Sequence, residues 1–154
     1  MLEQGASLPA VTVLDDQGKS FATATLKGKP CVLFFYPKDN TPGCSSEAAQ
    51  FGELHDQFVA LGVTVLGVSR DSVASHQSFI AKFELPYRLL ADTDSLLCDA
   101  FGVIVEKNNY GKKSLGVQRS TFFIDADGTI AQVWPKVSVE GHAAAVLAAV
   151  KAVC

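Results

Sequence analysis

Short apolar runs recur along the chain with the length and composition of buried β-strands. The runs Cys31–Tyr36 and Val63–Ser69 are apolar at nearly every position, which is typical of strands that are covered on both faces. Tyr87–Ala91 is a weaker run of the same kind. Because such strands usually run parallel and are joined by helices, the pattern predicts a parallel sheet between helical layers.

Two further pairs of runs are separated by turn sequences. Ala10–Leu14 and Ser20–Ala22 flank the sequence DDQG, and Thr121–Asp125 and Thr129–Trp134 flank the sequence DADG. Aspartate and glycine in a short connection between apolar runs are typical of β-hairpins. The sequence therefore predicts antiparallel strands near both ends of the chain.

Helical periodicity fills the gaps between the strands. In Ser45–Ala60 the apolar residues recur at steps of three and four, and Gly62 follows as a C-terminal cap. Three other segments are predicted to be helical: Ser72–Phe83, Ser95–Phe101 and Glu140–Val153. The resulting order predicts a thioredoxin-like α/β fold, a three-layer sandwich with a central mixed sheet and an N-terminal β-hairpin.

Length and composition narrow the class of protein. The chain has 154 residues, of which 48% are apolar and 19% are charged, so we expect a single folded domain over residues 1–154. A net charge of −3 does not favour nucleic-acid binding. The N-terminal sequence MLEQG has no features of a signal peptide, and no apolar run reaches the ~20 residues of a membrane span. We expect a cytoplasmic protein that binds neither nucleic acid nor membranes.

The chain has four cysteines, Cys31, Cys44, Cys98 and Cys154, and no two of them form a C-x-x-C pair. This spacing does not predict a zinc site or any other metal site. It also argues against a thiol–disulfide oxidoreductase, which needs two adjacent cysteines. Each thiol is therefore interpreted from its own surroundings.

Cys44 has the surroundings of a reactive thiol. It lies in the polar loop TPGCSSE, after a predicted buried strand and at the start of a predicted helix. The N-terminal end of a helix favours a thiolate, which is the nucleophilic form. Glu47 fits the N3 capping position of that helix and is a candidate for orienting a nearby cation. The alternative is an inert thiol, but inert cysteines usually lie within apolar runs.

The stretch FYPKDNTPGCSSE resembles the active-site loop of the peroxiredoxins, whose Pro-x-x-x-Thr-x-x-Cys pattern is matched by Pro37, Thr41 and Cys44. It is most similar to the bacterioferritin comigratory protein branch, also called peroxiredoxin Q. The segment GVQRSTFFIDADG also resembles that family and supplies its arginine, here Arg119. The resemblance covers nearly the whole chain.

The resemblance implies a peroxidase without a cofactor. Cys44 would attack a peroxide oxygen and become a sulfenic acid, and Arg119 would stabilise the charges of the thiolate and of the leaving oxygen. Thr41 would contact the peroxide, while Pro37 would shield the pocket. Without the motif, Arg119 would be interpreted as a solvated charge at the edge of a strand.

The resolving thiol is the point at which the sequence departs from the family. Many members of the branch carry a second cysteine five residues after the first, where this chain has Ala49, and others carry it in the helix that corresponds to Ser72–Phe83, which has none. Cys31 is expected in the core. Cys98 fits packing better than a resolving role, and Cys154 is a flexible chain end that could meet a partner.

We therefore expect a one-cysteine mechanism in which an external thiol (thioredoxin, glutaredoxin or glutathione) reduces the sulfenic acid. We expect a monomer and leave a dimer open. A redox sensor that signals by protein binding is the alternative function, because both roles need a reactive thiolate. The segment Glu106–Gln118 is interpreted as a solvated loop, and His76 and His142 as surface or hydrogen-bonded side chains. His55 follows Cys44 by eleven residues, too far along one helix for a Cys–His dyad.

Overall fold

The computed structural model describes the backbone of residues 1–154 and every side chain except that of Asn109. The strands are β1 (Thr12–Asp15), β2 (Ser20–Ala22), β3 (Cys31–Phe35), β4 (Thr64–Ser69), β5 (Arg88–Ala91), β6 (Ile104–Asn109), β7 (Lys112–Val117), β8 (Ser120–Ile124) and β9 (Ile130–Trp134). The helices are α1 (Pro42–Ala60), α2 (Val73–Phe83), α3 (Leu96–Phe101) and α4 (His142–Lys151), with a short 3-10 helix at Thr23–Leu26.

A mixed sheet with the strand order β2-β1-β5-β4-β3-β8-β9 runs through the molecule. Strands β3, β4 and β5 are parallel neighbours, as their continuous apolar runs predict. β8 lies antiparallel to β3, so that Ser120 at the start of β8 pairs with Phe35 at the end of β3. The two predicted hairpins, β1–β2 and β8–β9, are confirmed.

Two apolar layers cover the faces of this sheet. Phe34 packs on one face, where its ring stacks on Phe51 of α1 with 4.6 Å between centroids, and α2 and α4 cover the same face. Phe35 points to the opposite face and packs against Phe101 of α3. Because successive residues of a strand alternate between faces, one strand supplies both cores. The predicted three-layer arrangement is confirmed.

The prediction of a solvated loop over Glu106–Gln118 is wrong, because β6 and β7 form an antiparallel hairpin there. The turn at its tip places Tyr110 at φ 54° and Gly111 at φ 81°. Most of β7 is exposed, so its residues show no alternation between apolar and polar positions. Without that alternation the sequence gives no sign of a strand.

Helix α1 begins at Pro42, three residues before the predicted start at Ser45. Proline suits the first helical position, because its fixed φ matches the helix and its missing N–H is not needed there. Thr41 is therefore the N-cap, and the prediction that Glu47 takes the N3 capping position is wrong. Among the residues that the structure describes, no helix has both the length and the apolar character needed to cross a membrane.

Candidate active site

Cys44 lies in the first turn of α1, beyond the carboxyl end of β3. The N–H of Ser45 donates to the carbonyl of Thr41 at 2.8 Å, which closes that turn around the thiol. The side chain is nearly inaccessible, since Cys44 as a whole is 1% exposed. The expected position at a helix N-terminus and at the edge of a parallel sheet agrees with the structure.

Arg119 reaches Cys44 from the neighbouring strand. Its Nη2 donates to Cys44 Sγ at 3.3 Å, and its Nη1 donates to Glu47 Oε1 at 2.8 Å. Glu47 follows Cys44 by three residues, so both side chains lie on one face of α1. The pairing of β8 with β3 brings Arg119, which immediately precedes β8, to the same end of the sheet. One guanidinium therefore joins a thiol and a carboxylate.

Nearby charges and burial have opposite effects on the pKa values of Glu47 and Arg119. Burial raises the pKa of Glu47 to about 7, against the attraction of Arg119, which lowers it. Burial alone would lower the pKa of Arg119, but the negative charges of Glu47 and Cys44 outweigh it and raise that pKa above its usual value. Arg119 therefore stays a cation beside the thiol across the physiological range.

Gly43 leaves room for the guanidinium. A Cβ built at position 43 would lie 3.2 Å from Arg119 Nη2, closer than side chains normally pack. The residue before Cys44 is therefore small because the arginine passes next to its backbone. The sequence offers only the glycine itself as a signal for this contact.

The structure places the other two motif residues in the loop that precedes α1. Thr41 Oγ1 donates to the carbonyl of Lys38 at 2.9 Å and makes no side-chain bond to the first turn of the helix. Pro37 is half-buried, two residues after the end of β3. Both lie close to Cys44 along the chain, and their contacts with a peroxide remain predictions.

The other cysteines lie apart from Cys44. Cys98 packs among the α3 side chains on the opposite face of the sheet, and burial raises its pKa well above the usual range. Cys31 is also buried, and burial raises its pKa to about 12. Cys154 is exposed at the chain end. A disulfide between Cys44 and Cys98 would need a large rearrangement, because bridged cysteines require their α-carbons within about 7 Å.

Lys107 is a candidate site residue that sequence reasoning missed. Its side chain crosses the β6–β7 hairpin over Gly116, where an added Cβ would lie 3.0 Å from Lys107 Cδ. Burial and the charge of Arg119 lower the pKa of Lys107, whereas the charge of Cys44 raises it. The hairpin is also fixed by Arg70, whose Nη2 donates to the carbonyl of Leu115 at 3.4 Å. Only recognition of the hairpin would have shown this cation near the thiol.

Two histidines are buried and hydrogen-bonded, as one of the two interpretations expects. His142 Nε2 lies 2.8 Å from Thr121 Oγ1, and burial, helped by the charge of Arg119, lowers the pKa of His142 to about 4. His76 bonds Asp39 and Leu90. His55 packs against the ring of Tyr87, with 5.9 Å between centroids.

Within the described part of the chain, no group of three or more His, Cys, Asp or Glu side chains is arranged to hold a metal ion.

Comparison with known proteins agrees with this geometry. The model of the AhpC/TSA family matches residues 4–133. A putative peroxiredoxin Bcp from Coxiella burnetii is 49% identical over 146 residues, which cover 95% of this chain and 97% of that protein. Peroxiredoxin Bcp from Bacillus subtilis is 41% identical over 150 residues, covering 97% and 96%.

Solved structures extend the likeness to the fold. Xanthomonas campestris bacterioferritin comigratory protein, described for its alkyl peroxide reduction activity, superposes with a TM-score of 0.89 at 44% identity, covering 96% of this chain and 98% of that one. A mutant of Xylella fastidiosa PrxQ superposes with a TM-score of 0.94 at 41% identity, covering 99% and 97%.

Proposed function

Since the chain belongs to the AhpC/TSA family and is a thiol-dependent peroxidase of its peroxiredoxin Bcp branch, we propose that Cys44 reduces hydrogen peroxide and small organic hydroperoxides by a one-cysteine mechanism. The observation that carries the proposal is the 3.3 Å contact between Arg119 Nη2 and Cys44 Sγ. A fixed cation beside a thiol favours the thiolate that attacks the peroxide.

The oxidative step transfers one oxygen atom. The Cys44 thiolate attacks the distal oxygen of the peroxide, the O–O bond breaks, and the leaving hydroxide or alkoxide takes a proton to become water or an alcohol. Arg119 stabilises the charge on the sulfur and on the departing oxygen. In this proposal Thr41 hydrogen-bonds the bound peroxide and Pro37 shields it from water.

The reductive step uses a thiol from outside the chain. A thiol condenses with the sulfenic acid of Cys44 to form a mixed disulfide and water, and a second thiol releases Cys44 as an oxidised disulfide leaves. Ala49 stands at one usual resolving position, and Cys98 faces the other side of the sheet. Thioredoxin, glutaredoxin and glutathione are the candidate reductants for a monomer that acts in the cytoplasm.

The alternative of a peroxide sensor is not favoured, because the relatives carry the names of peroxiredoxins.

Steady-state consumption of peroxide distinguishes a peroxidase from a sensor, with glutathione, glutaredoxin and thioredoxin supplied in parallel. We expect turnover with at least one reductant and none in Cys44→Ser, while Cys31→Ser and Cys154→Ser keep the first oxidation step. Peroxide consumption by Cys44→Ser at the original rate would remove Cys44 from the mechanism.

A further inference from the structure

A second cluster of polar side chains is buried beside the loop that leads to Cys44. The carboxylate of Asp39, 1% exposed, accepts a hydrogen bond from Tyr36 Oη at 2.6 Å on its Oδ1. Its Oδ2 accepts from Ser75 Oγ at 2.8 Å and lies 2.8 Å from His76 Nδ1. Ser75 and His76 are in the first turn of α2. The carboxylate therefore connects the loop to another helix.

Both ring nitrogens of His76 face oxygen atoms. Nε2 lies 2.9 Å from the carbonyl of Leu90, which can only accept, so Nε2 carries a hydrogen. A further proton lies between Nδ1 and Asp39. Burial raises the pKa of Tyr36 well above its usual value, so its phenol donates to Asp39. Both carboxylate oxygens of Asp39 are therefore hydrogen-bonded, and the contact with His76 Nδ1 is one of the three side-chain contacts that hold the carboxylate.

The backbone of the loop is fixed at the same residue. The N–H of Asp39 donates to Asp71 Oδ2 at 2.8 Å, and the same oxygen accepts from Ser69 Oγ at 2.6 Å. The next residue, Asn40, adopts φ 63°, in the left-handed region, and Thr41 then caps α1. Asp39 is thus held by hydrogen bonds at both its backbone N–H and its carboxylate, and these bonds set the course of the chain into α1.

We propose that His76 is a positioning residue for the Cys44 site, acting through the hydrogen bond between its Nδ1 and Asp39 on the loop 37–41. The inference rests on the proposed function, because it assigns His76 to the peroxide step. Removing this nitrogen would leave a buried carboxylate oxygen of Asp39 without one of its hydrogen-bond partners, which is unfavourable. The loop would then move to solvate that oxygen, and Thr41 and Pro37 would move with it.

Two amide substitutions at His76 separate the two contacts of the ring. In His76→Asn the amide nitrogen replaces Nδ1 and keeps the bond to Asp39. In His76→Gln the amide replaces Nε2, keeps the bond to Leu90 and removes the hydrogen bond to Asp39. We expect the second-order rate of Cys44 oxidation to fall about 10²-fold in His76→Gln, the loss that a 1 Å misplacement produces, and much less in His76→Asn.

A matched control distinguishes positioning from stability. Ile80→Ala removes packing from the same helix without touching the pair, so it lowers the melting temperature and leaves the oxidation rate unchanged. Equal oxidation rates in His76→Gln and His76→Asn, or a rate loss in Ile80→Ala that matches its loss of stability, would overturn the inference.

Hydrogen exchange gives a readout that needs no peroxide chemistry. We expect the backbone amides of residues 39–45, apart from Pro42, to exchange faster in His76→Gln than in the original protein. Unchanged exchange in this segment would overturn the inference even if peroxide reduction itself were absent. Loss of peroxide reduction in the original protein would instead contradict only the proposed function.

Discussion

Cys44, the proposed nucleophile, differs from the other two buried cysteines by one contact rather than by exposure. Cys31, Cys44 and Cys98 are all at most 1% exposed. Burial raises the pKa of Cys31 and Cys98, whereas the Cys44 thiol has a guanidinium at 3.3 Å. Accessibility alone would not select Cys44, and in the proposed mechanism its chemistry depends on Arg119.

Replacing Arg119 tests that dependence. In Arg119→Ala we expect a smaller thiolate fraction at neutral pH and a peroxide step about 10²-fold slower, the loss typical of one removed charge-stabilising donor. Arg119→Lys should recover only part of this, because an ammonium cannot bridge Glu47 and Cys44 as the planar fork does. Thiolate absorbance and stopped-flow oxidation rates measure both effects.

Arg88→Ala is the control for loss of a cation. Arg88 is the first residue of β5 and pairs with Asp15, at the end of the parallel strands away from Cys44. The substitution Arg88→Ala should leave the peroxide step unchanged. Identical thiolate absorbance and rates in Arg119→Ala and Arg88→Ala would reduce Arg119 to a structural charge.

Gly43→Ala tests how closely the guanidinium is placed. The added methyl group would lie 3.2 Å from Arg119 Nη2, so the guanidinium has to shift by a few tenths of an ångström and weaken its bond to Cys44. We expect a slower peroxide step in a helix that is no less stable. Gly52→Ala, in the same helix with no contact below 3.4 Å, should gain up to about 1 kcal/mol and keep its rate. If both variants kept their rates, the tight approach at Gly43 would have no catalytic consequence.

At the scale of elements, the loop and helix around Cys44 are predictable from the sequence, whereas the β6–β7 hairpin is not. The polar sequence between β3 and α1 predicts a thiol at a helix N-terminus, and in the structure that helix begins at Pro42. The β6–β7 hairpin is exposed over much of its length, so neither periodicity nor composition indicates it. It nevertheless carries Lys107, whose pKa responds to the charges of Arg119 and Cys44.

Lys107→Met tests what the hairpin contributes. A cation near the sulfenic acid attracts negatively charged thiols, so we expect the reaction with glutathione to slow several-fold, about the range of modest electrostatic steering, and to lose part of its salt dependence. The reaction with neutral hydrogen peroxide should change less. Lys113→Met, on the same hairpin but paired with Glu106, is the control. An equal effect of the two substitutions on glutathione would contradict a specific role for Lys107.

At the scale of the whole molecule, two buried groups make the free energy of unfolding depend on pH in opposite directions. Glu47, with a pKa raised from 4.5 to about 7, binds its proton more tightly in the folded protein, so stability falls as pH rises through this window. His142, with a pKa lowered from 6.5 to about 4, binds its proton more tightly when unfolded, so stability rises between pH 4 and 6.5.

The two slopes should partly cancel between pH 4.5 and 6.5, where both windows overlap. We expect melting temperatures that rise with pH in Glu47→Gln, which keeps the His142 contribution, and that fall with pH in His142→Gln, which keeps the Glu47 contribution. Thermal unfolding at several pH values measures both slopes. Parallel curves for the two variants would show that these groups do not control the acid side of the stability profile.

The sequence predicted the three layers, the parallel central strands and the hairpins β1–β2 and β8–β9, because its central runs are continuously apolar and its hairpin turns are marked by aspartate and glycine. It predicted Arg119 and Glu47 only as separate candidates. Their contact joins residues 72 positions apart and arises from the pairing of β8 with β3. The Asp39–His76 pair was equally hidden, since one histidine in an amphipathic helix carries no sign of its partner.

Intact-mass analysis after one equivalent of hydrogen peroxide tests the central claim most directly. The account predicts a protein one oxygen heavier, with the oxygen on the Cys44 peptide, that glutathione converts to a mixed disulfide and excess peroxide converts to the sulfinic acid. A protein two hydrogens lighter, with a peptide map that joins Cys44 to Cys98, would contradict the one-cysteine mechanism. An unmodified Cys44 beside an oxidised thiol elsewhere would contradict the assignment of the nucleophile.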